Sequence, residues 1–148
     1  MFDFINKVVM ITLIFLMLVI APITVSYMTS DMVSERQVLN EITQFIDKVT
    51  DKATITQTDL DDLYISLNAS GGTYNATVKR YIRLATQNDD GSTKVIYMAD
   101  EVIDKLNIGD VVKVHVEEVG TSPAKKMLWS VLGIDSGAFE TSLAGTVR

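Results

Sequence analysis

The sequence predicts an α+β fold: one long N-terminal α-helix, hydrophobic in its first half and amphipathic in its second, packed on a small four-stranded, mainly antiparallel β-sheet head. The expectation rests on three features. No charged residue stands between Lys7 and Asp31, helical periodicity then continues to about Thr50, and from Thr73 onward the pattern changes to short alternating segments divided by turn signals. The expected organisation is a hydrophobic transmembrane or filament-core half-helix over 1–30, an amphipathic half over 31–55 and a globular head over 56–148.

The charge-free run covers 23 residues, 8–30, which as a helix reach about 35 Å against a hydrocarbon core of roughly 30 Å. It is long enough to span. A cleaved signal peptide would lead with basic residues and end in a small-x-small site, whereas Asp3 precedes the single Lys7 and "IAPITVSYM" offers no such site. Lys7 on one flank and Arg36 on the other give a mild preference for the N-terminus inside. Pro22 lies within the run, where it removes one backbone donor and crowds the carbonyl of Leu18, so a kink or local melting is expected there. Thr24 and Ser26 are placed to satisfy freed carbonyls.

Past Asp31 the helix changes character without a stop signal. Val38, Leu39, Ile42, Phe45, Ile46 and Val49 recur at spacings of three and four, while Glu35, Arg36, Asn40, Glu41, Asp47 and Lys48 take the opposite face. No Gly or Pro interrupts the chain between Ile23 and Thr56. A single helix from Phe4 to Thr50 would be about 70 Å long, so its second half belongs outside a bilayer, with Val38, Ile42, Phe45, Ile46 and Val49 packed on the head.

In the head, "TITQTDLDDLYISLNASGG" reads as a helix with Thr58 at the N-cap, acids in its first turn, and a stop at Gly71-Gly72. Leu60, Leu63, Tyr64 and Leu67 form its buried face. Alternation from Thr73 to Thr86 places Tyr74, Ala76, Val78, Ile82 and Leu84 on one side, "QNDDGS" supplies a turn, and Thr93 to Met98 returns antiparallel. "ADEVIDKLNIGD" reads as a short helix closed at Gly109, "VVKVHVEEV" as a strand with Val112, Val114 and Val116 inward. "SPAKKMLWSVLG" reads as another short helix, with Trp129 capping the core beside Met127, Leu128 and Leu132, and Ala138 to Val147 as a last strand.

Composition narrows the chemistry. A formal charge of -6 offers no basic face for phosphates, so no nucleic-acid partner is expected. Without cysteine there are no disulfides, thiolate metal sites or thiol nucleophiles. His115, the single histidine, falls on the outward side of its strand between Lys113 and Glu117, with no acid and nucleophile to complete a catalytic set. "DLDD" and "NDDG" lack the spaced ligands and terminal glutamate of a calcium loop, and no glycine-rich cradle follows a strand. The sequence therefore predicts no enzyme activity, cofactor, metal or small-molecule substrate.

A long helix that is oily first, interrupted at Pro22, amphipathic afterwards and joined to a small antiparallel sheet resembles the type IV pilin superfamily. The short head and the ending "FETSLAGTVR" look most like the pilin-like proteins of Gram-positive tight-adherence (Tad-like) pili. The resemblance implies a structural subunit of a prokaryotic cell-surface filament used in adhesion. Such a subunit waits in the inner or cytoplasmic membrane, is extracted by pilus assembly machinery, and joins a helical homo-oligomer outside the cell. Phe2, Phe4, Ile5, Met10, Ile14, Phe15, Met17, Leu18 and Pro22 would then line the membrane segment and the filament core. Pilins of this type usually have a leader ending in glycine and a glutamate early in the mature helix that pairs with a neighbour's terminal amine. This chain opens at Met1 with Ile5 in that neighbourhood, leaving Asp3 either to supply the carboxylate or to pair with its own Lys7 one turn away. The alternative is a single-pass anchored accessory or minor pilin-like component of a secretion or conjugation apparatus, with a binding head.

Overall fold

The computed structural model describes residues 2–100, 104–120 and 138–148, together with Lys126, Trp129, Ser130 and Gly133. The chain divides into two compact units, one formed by 1–35 with 122–136 and the other by 36–121 with 137–148.

The helical pattern at the N-terminus becomes helix throughout: α1 (Phe2–Phe15), a π-helical stretch (Leu16–Ile20) and α2 (Ala21–Lys52) follow one another without a loop. Pro22 is therefore inside a helix, and the backbone remains helical through it. The disturbance expected there takes the form of a widened turn immediately before the proline. Leu18, whose carbonyl Pro22 cannot bond, lies within that stretch, and an i→i+5 turn relieves the crowding that the ring imposes. Thr24 Oγ1 donates to the Ile20 carbonyl at 2.9 Å, which supplies a partner at the edge of the same stretch.

In the second unit, the predicted stripe of α2 is buried: Val38, Ile42 and Val49 are fully enclosed, with Phe45 and Ile46 beside them. Helix α3 (Gln57–Ala69) packs its Leu63 and Leu67 into the same core. Its N-cap is Thr56, not the expected Thr58. The Thr56 hydroxyl accepts from Asp59 N while the Asp59 carboxylate accepts from Thr56 N, a reciprocal capping box that only a residue three positions ahead of Asp59 can make. Tyr64 is at the rim of the buried face, its hydroxyl donating to the Ala76 carbonyl at 2.8 Å.

Four antiparallel strands, β1 (Tyr74–Gln87), β2 (Thr93–Asp100), β3 (Val111–Glu118) and β4 (Glu140–Thr146), form one sheet in the order β2-β1-β3-β4. Val112, Val114 and Val116 are buried, as alternation requires. Tyr74 meets Phe139 edge to face, centroids 6.4 Å apart. Gly145 of β4 lies directly against Ile46 of α2, and a Cβ at that position would collide with the Ile46 side chain. Glycine there sets how closely helix and sheet approach.

The short helix expected over "ADEVIDKLNIGD" is not what the described residues form. Ala99 and Asp100 extend β2, Lys105 makes an isolated bridge with Thr54, and Ile108 and Gly109 form a turn, Gly109 at φ 91°. The Asp110 carboxylate holds this turn by accepting from Asn107 N at 2.9 Å, a local bond that competes with helix. Residues 101–103 lie outside the described residues. So does most of the helix expected over 122–133, including Met127, Leu128 and Leu132; Lys126, Trp129 and Ser130 are helical, and Trp129 is half-buried.

Candidate membrane and assembly surface

Helix residues 3–52 contain the one stretch among the described residues that is long and apolar enough to cross a membrane, and none of its most apolar window is buried. Phe4, Met17 and Leu18 are each about 70% exposed (72%, 71% and 71%), and Ile5, Met10, Ile14 and Phe15 are also open, as is Pro22. The Phe2 side chain lies outside the described residues. A helix apolar on every side needs a cover that is itself apolar. Its hydroxyls already have partners: Thr12 donates to Val8 O at 2.9 Å and Thr29 to Val25 O at 2.8 Å, besides Thr24 to Ile20 O. Asp3, Asn6, Lys7, Met10 and Ile11 border one shallow cavity, and no ion pair joins Asp3 to Lys7.

Two ion clusters fasten the head, and neither was foreseen from the sequence. Asp59 is buried where α2 ends and α3 begins, 3.0 Å from both Lys48 Nζ and Lys52 Nζ. A hydrogen bond from the Thr56 hydroxyl, more than offsetting burial and joined by the two lysines, holds its carboxyl far below the usual range. The second cluster is Arg80 with Asp110. Nε and Nη2 of Arg80 reach Asp110 Oδ2 at 2.9 and 2.6 Å, while Asp110 also accepts from the backbone N–H groups of Asn107 and Arg83. Burial works to raise the Asp110 pKa, but these donors outweigh it and the pKa is lowered. The available signal was Arg80 itself, an ionic residue on the inward side of an alternating strand.

His115 is half-buried on the outer face, with Nδ1 2.9 Å from Ser142 Oγ and Nε2 3.9 Å from the Glu140 carboxylate. Among the described residues no three of His, Asp and Glu are grouped to hold a metal ion. Comparisons with family models, curated proteins and solved structures find no match for the chain.

Proposed function

We propose that the chain is a pilin-like structural subunit of an extracellular, type IV pilus-like filament, held in the membrane by its N-terminal helix before assembly. The observation that carries this reading is the pairing of two properties in one helix. Residues 8–30 are free of charge and open to their surroundings, whereas the stripe Val38, Ile42, Phe45, Ile46 and Val49, on the same helix, belongs to a folded core. In a filament the apolar half-helices of many copies would exchange lipid for one another. That exchange gains little hydrophobic energy, so close packing would fix the geometry. Head-to-tail contacts that do not close into a ring would then extend the polymer.

Shearing cells and resolving the supernatant by electrophoresis tests the proposal. An abundant 16.4 kDa band, with Met1 to Ala21 at the axis of reconstructed fibres, is the expected result. Complete retention in the membrane fraction would favour the single-pass accessory component instead, and density placing that segment on the outside of fibres would refute the packing.

A further inference from the structure

Strand β1 divides its 14 residues between two neighbours. Tyr74 to Tyr81 pair with β3, and Arg80 to Gln87 pair with β2, the part past Tyr81 forming a two-stranded β1–β2 arm. Alternation sends Ala76, Val112 and Val114 to the core, so the stretch shared with β3 carries Thr77, Lys79 and Tyr81 on its outer face, opposite His115, Lys113 and Val111. There Thr77, Lys79, Tyr81, Lys113 and His115 line one depression of about 200 Å³. Thr77 and both lysines are exposed, and Tyr81 and His115 are half-buried.

Lys79 and Lys113 are direct cross-strand partners, an arrangement that like charges disfavour. A chain with 19 acidic against 13 basic residues has carboxylates to spare, yet neither lysine forms an ion pair among the described residues. None of the pair's register neighbours on this face is acidic. Along β1 and β3 they are Thr77, Tyr81, Val111 and His115; on β4 they are Ser142, Ala144 and Thr146, with Ala144 directly opposite Lys113. Lys79 precedes the first residue of β1 that pairs with β2, so β2 does not flank it. The next carboxylates on this face, Glu117 and Glu140, lie beyond His115 and have other contacts. Glu117 accepts from Asn75 Nδ2 at 2.9 Å, and Glu140 is 3.9 Å from His115 Nε2. Two bare cations thus stand side by side among hydroxyls and an imidazole.

We propose that this depression binds a phosphate dianion, free or as a monoester, with the ammonium groups of Lys79 and Lys113 as its two counter-charges and the Thr77 and Tyr81 hydroxyls as neutral donors. Two positive charges match phosphate, which is largely dianionic at neutral pH, whereas a carboxylate would leave one lysine unpaired. Ammonium and hydroxyl donors suit a group whose oxygens accept. The volume is below the roughly 300–1,000 Å³ of pockets that enclose drug-sized ligands, so the site takes the phosphate group and leaves its carrier outside. Bound phosphate converts the repulsion between the lysines into attraction on both sides of the ion. The site uses only the outer face of the head and is independent of the filament reading.

Titration of the full chain in neutral detergent with inorganic phosphate, followed by phosphorus NMR at neutral pH, is the test. A saturable shift is expected, and phosphate should raise the melting temperature more than sodium chloride at equal ionic strength. Lys79→Gln or Lys113→Gln should each weaken binding by about fivefold or more, the upper value for one exposed ion pair. Lys94→Gln, on β2, should leave it unchanged. Lys79→Glu should abolish binding and yet raise the melting temperature in chloride, because it makes the cross-strand pair one of opposite charges; a variant that had merely misfolded would not melt higher. Glycerol phosphate bound more tightly than inorganic phosphate would assign the site to an ester, and the reverse order to the free ion. An equal response to chloride, acetate bound as tightly as phosphate, or unchanged binding when both lysines are replaced by glutamine would overturn the site.

Discussion

Arg80 and Asp110 form a buried ion pair at the root of the β1–β2 arm, with Nη2 2.6 Å from Oδ2 and side chains 9% and 2% exposed. The two partners are not equally dependent on each other. Without Arg80, Asp110 keeps the N–H groups of Asn107 and Arg83; without the Asp110 charge, Arg80 keeps, among the described residues, Asp100 at 3.6 Å. Asp110→Asn is therefore expected to cost about 3–5 kcal/mol, as removal of one partner from a buried pair does, and Arg80→Met distinctly less. Denaturant unfolding of the full chain in detergent checks the order, and equal losses would refute it.

The same carboxylates set an acid limit. Asp59 and Asp110 have folded pKa values below the ordinary 3.8, so the unfolded chain binds protons before the folded one does. Their contribution to stability is complete above about pH 4–5 and is lost as pH falls below that through the folded values. Melting temperature measured between pH 2 and 7 should be level near neutrality and decline below about pH 4, with a shallower decline in Asp110→Asn.

Gly145 permits the close approach of β4 to α2. Because a Cβ there meets the Ile46 side chain, Gly145→Ala is expected to destabilise by about 1–3 kcal/mol, the usual cost of overpacking. Ile46→Ala removes the Cγ2 that the new Cβ would meet, so Gly145→Ala should cost much less in that background, and a double-variant cycle with no coupling would exclude the contact.

Capping of α3 distinguishes two threonines that stand two positions apart, Thr56 and Thr58. Thr56→Ala removes the hydroxyl that accepts from Asp59 N and should cost about 1 kcal/mol, whereas Thr58→Ala should change stability by well under half of that. Comparable losses would contradict the capping box.

Phe45→Asp places an unpaired carboxylate in the α2 stripe, where the native side chain is 6% exposed. Burying a charge without a partner is costly, and loss of the cooperative melting transition is the expected outcome. An unchanged curve would mean that this face of α2 is not in the core.

The architecture was legible in the sequence wherever one periodicity ran long enough. The charge-free run, the α2 stripe and the valines of β3 each repeat a single geometric rule over many residues, and each forms the expected element. Failures came where a side chain competes with the backbone pattern. Asp59 reaches back to Thr56 and moves the cap by two positions; Asp110 gathers Asn107, Arg83 and Arg80 around a turn that reads, in isolation, as the end of a helix. The exposed second half of β1 is hidden in the sequence for a different reason. Alternation says which side of β1 faces inward, but not where the covering helix stops, so Leu84 and Ala76 look alike in the sequence and differ in the fold.

Seen as a mechanical part, β1 is a splice. Eight residue pairs join it to β3 along its first portion and eight join it to β2 along its second, with Arg80 and Tyr81 common to both. A load along β2 reaches β3 through the covalent backbone of β1, and both laps are strained in shear, where hydrogen bonds perpendicular to the strands resist together. Rupture then begins at the second lap, where Ile96, Tyr97 and Met98 of β2 are exposed, while the rest of the sheet stays whole.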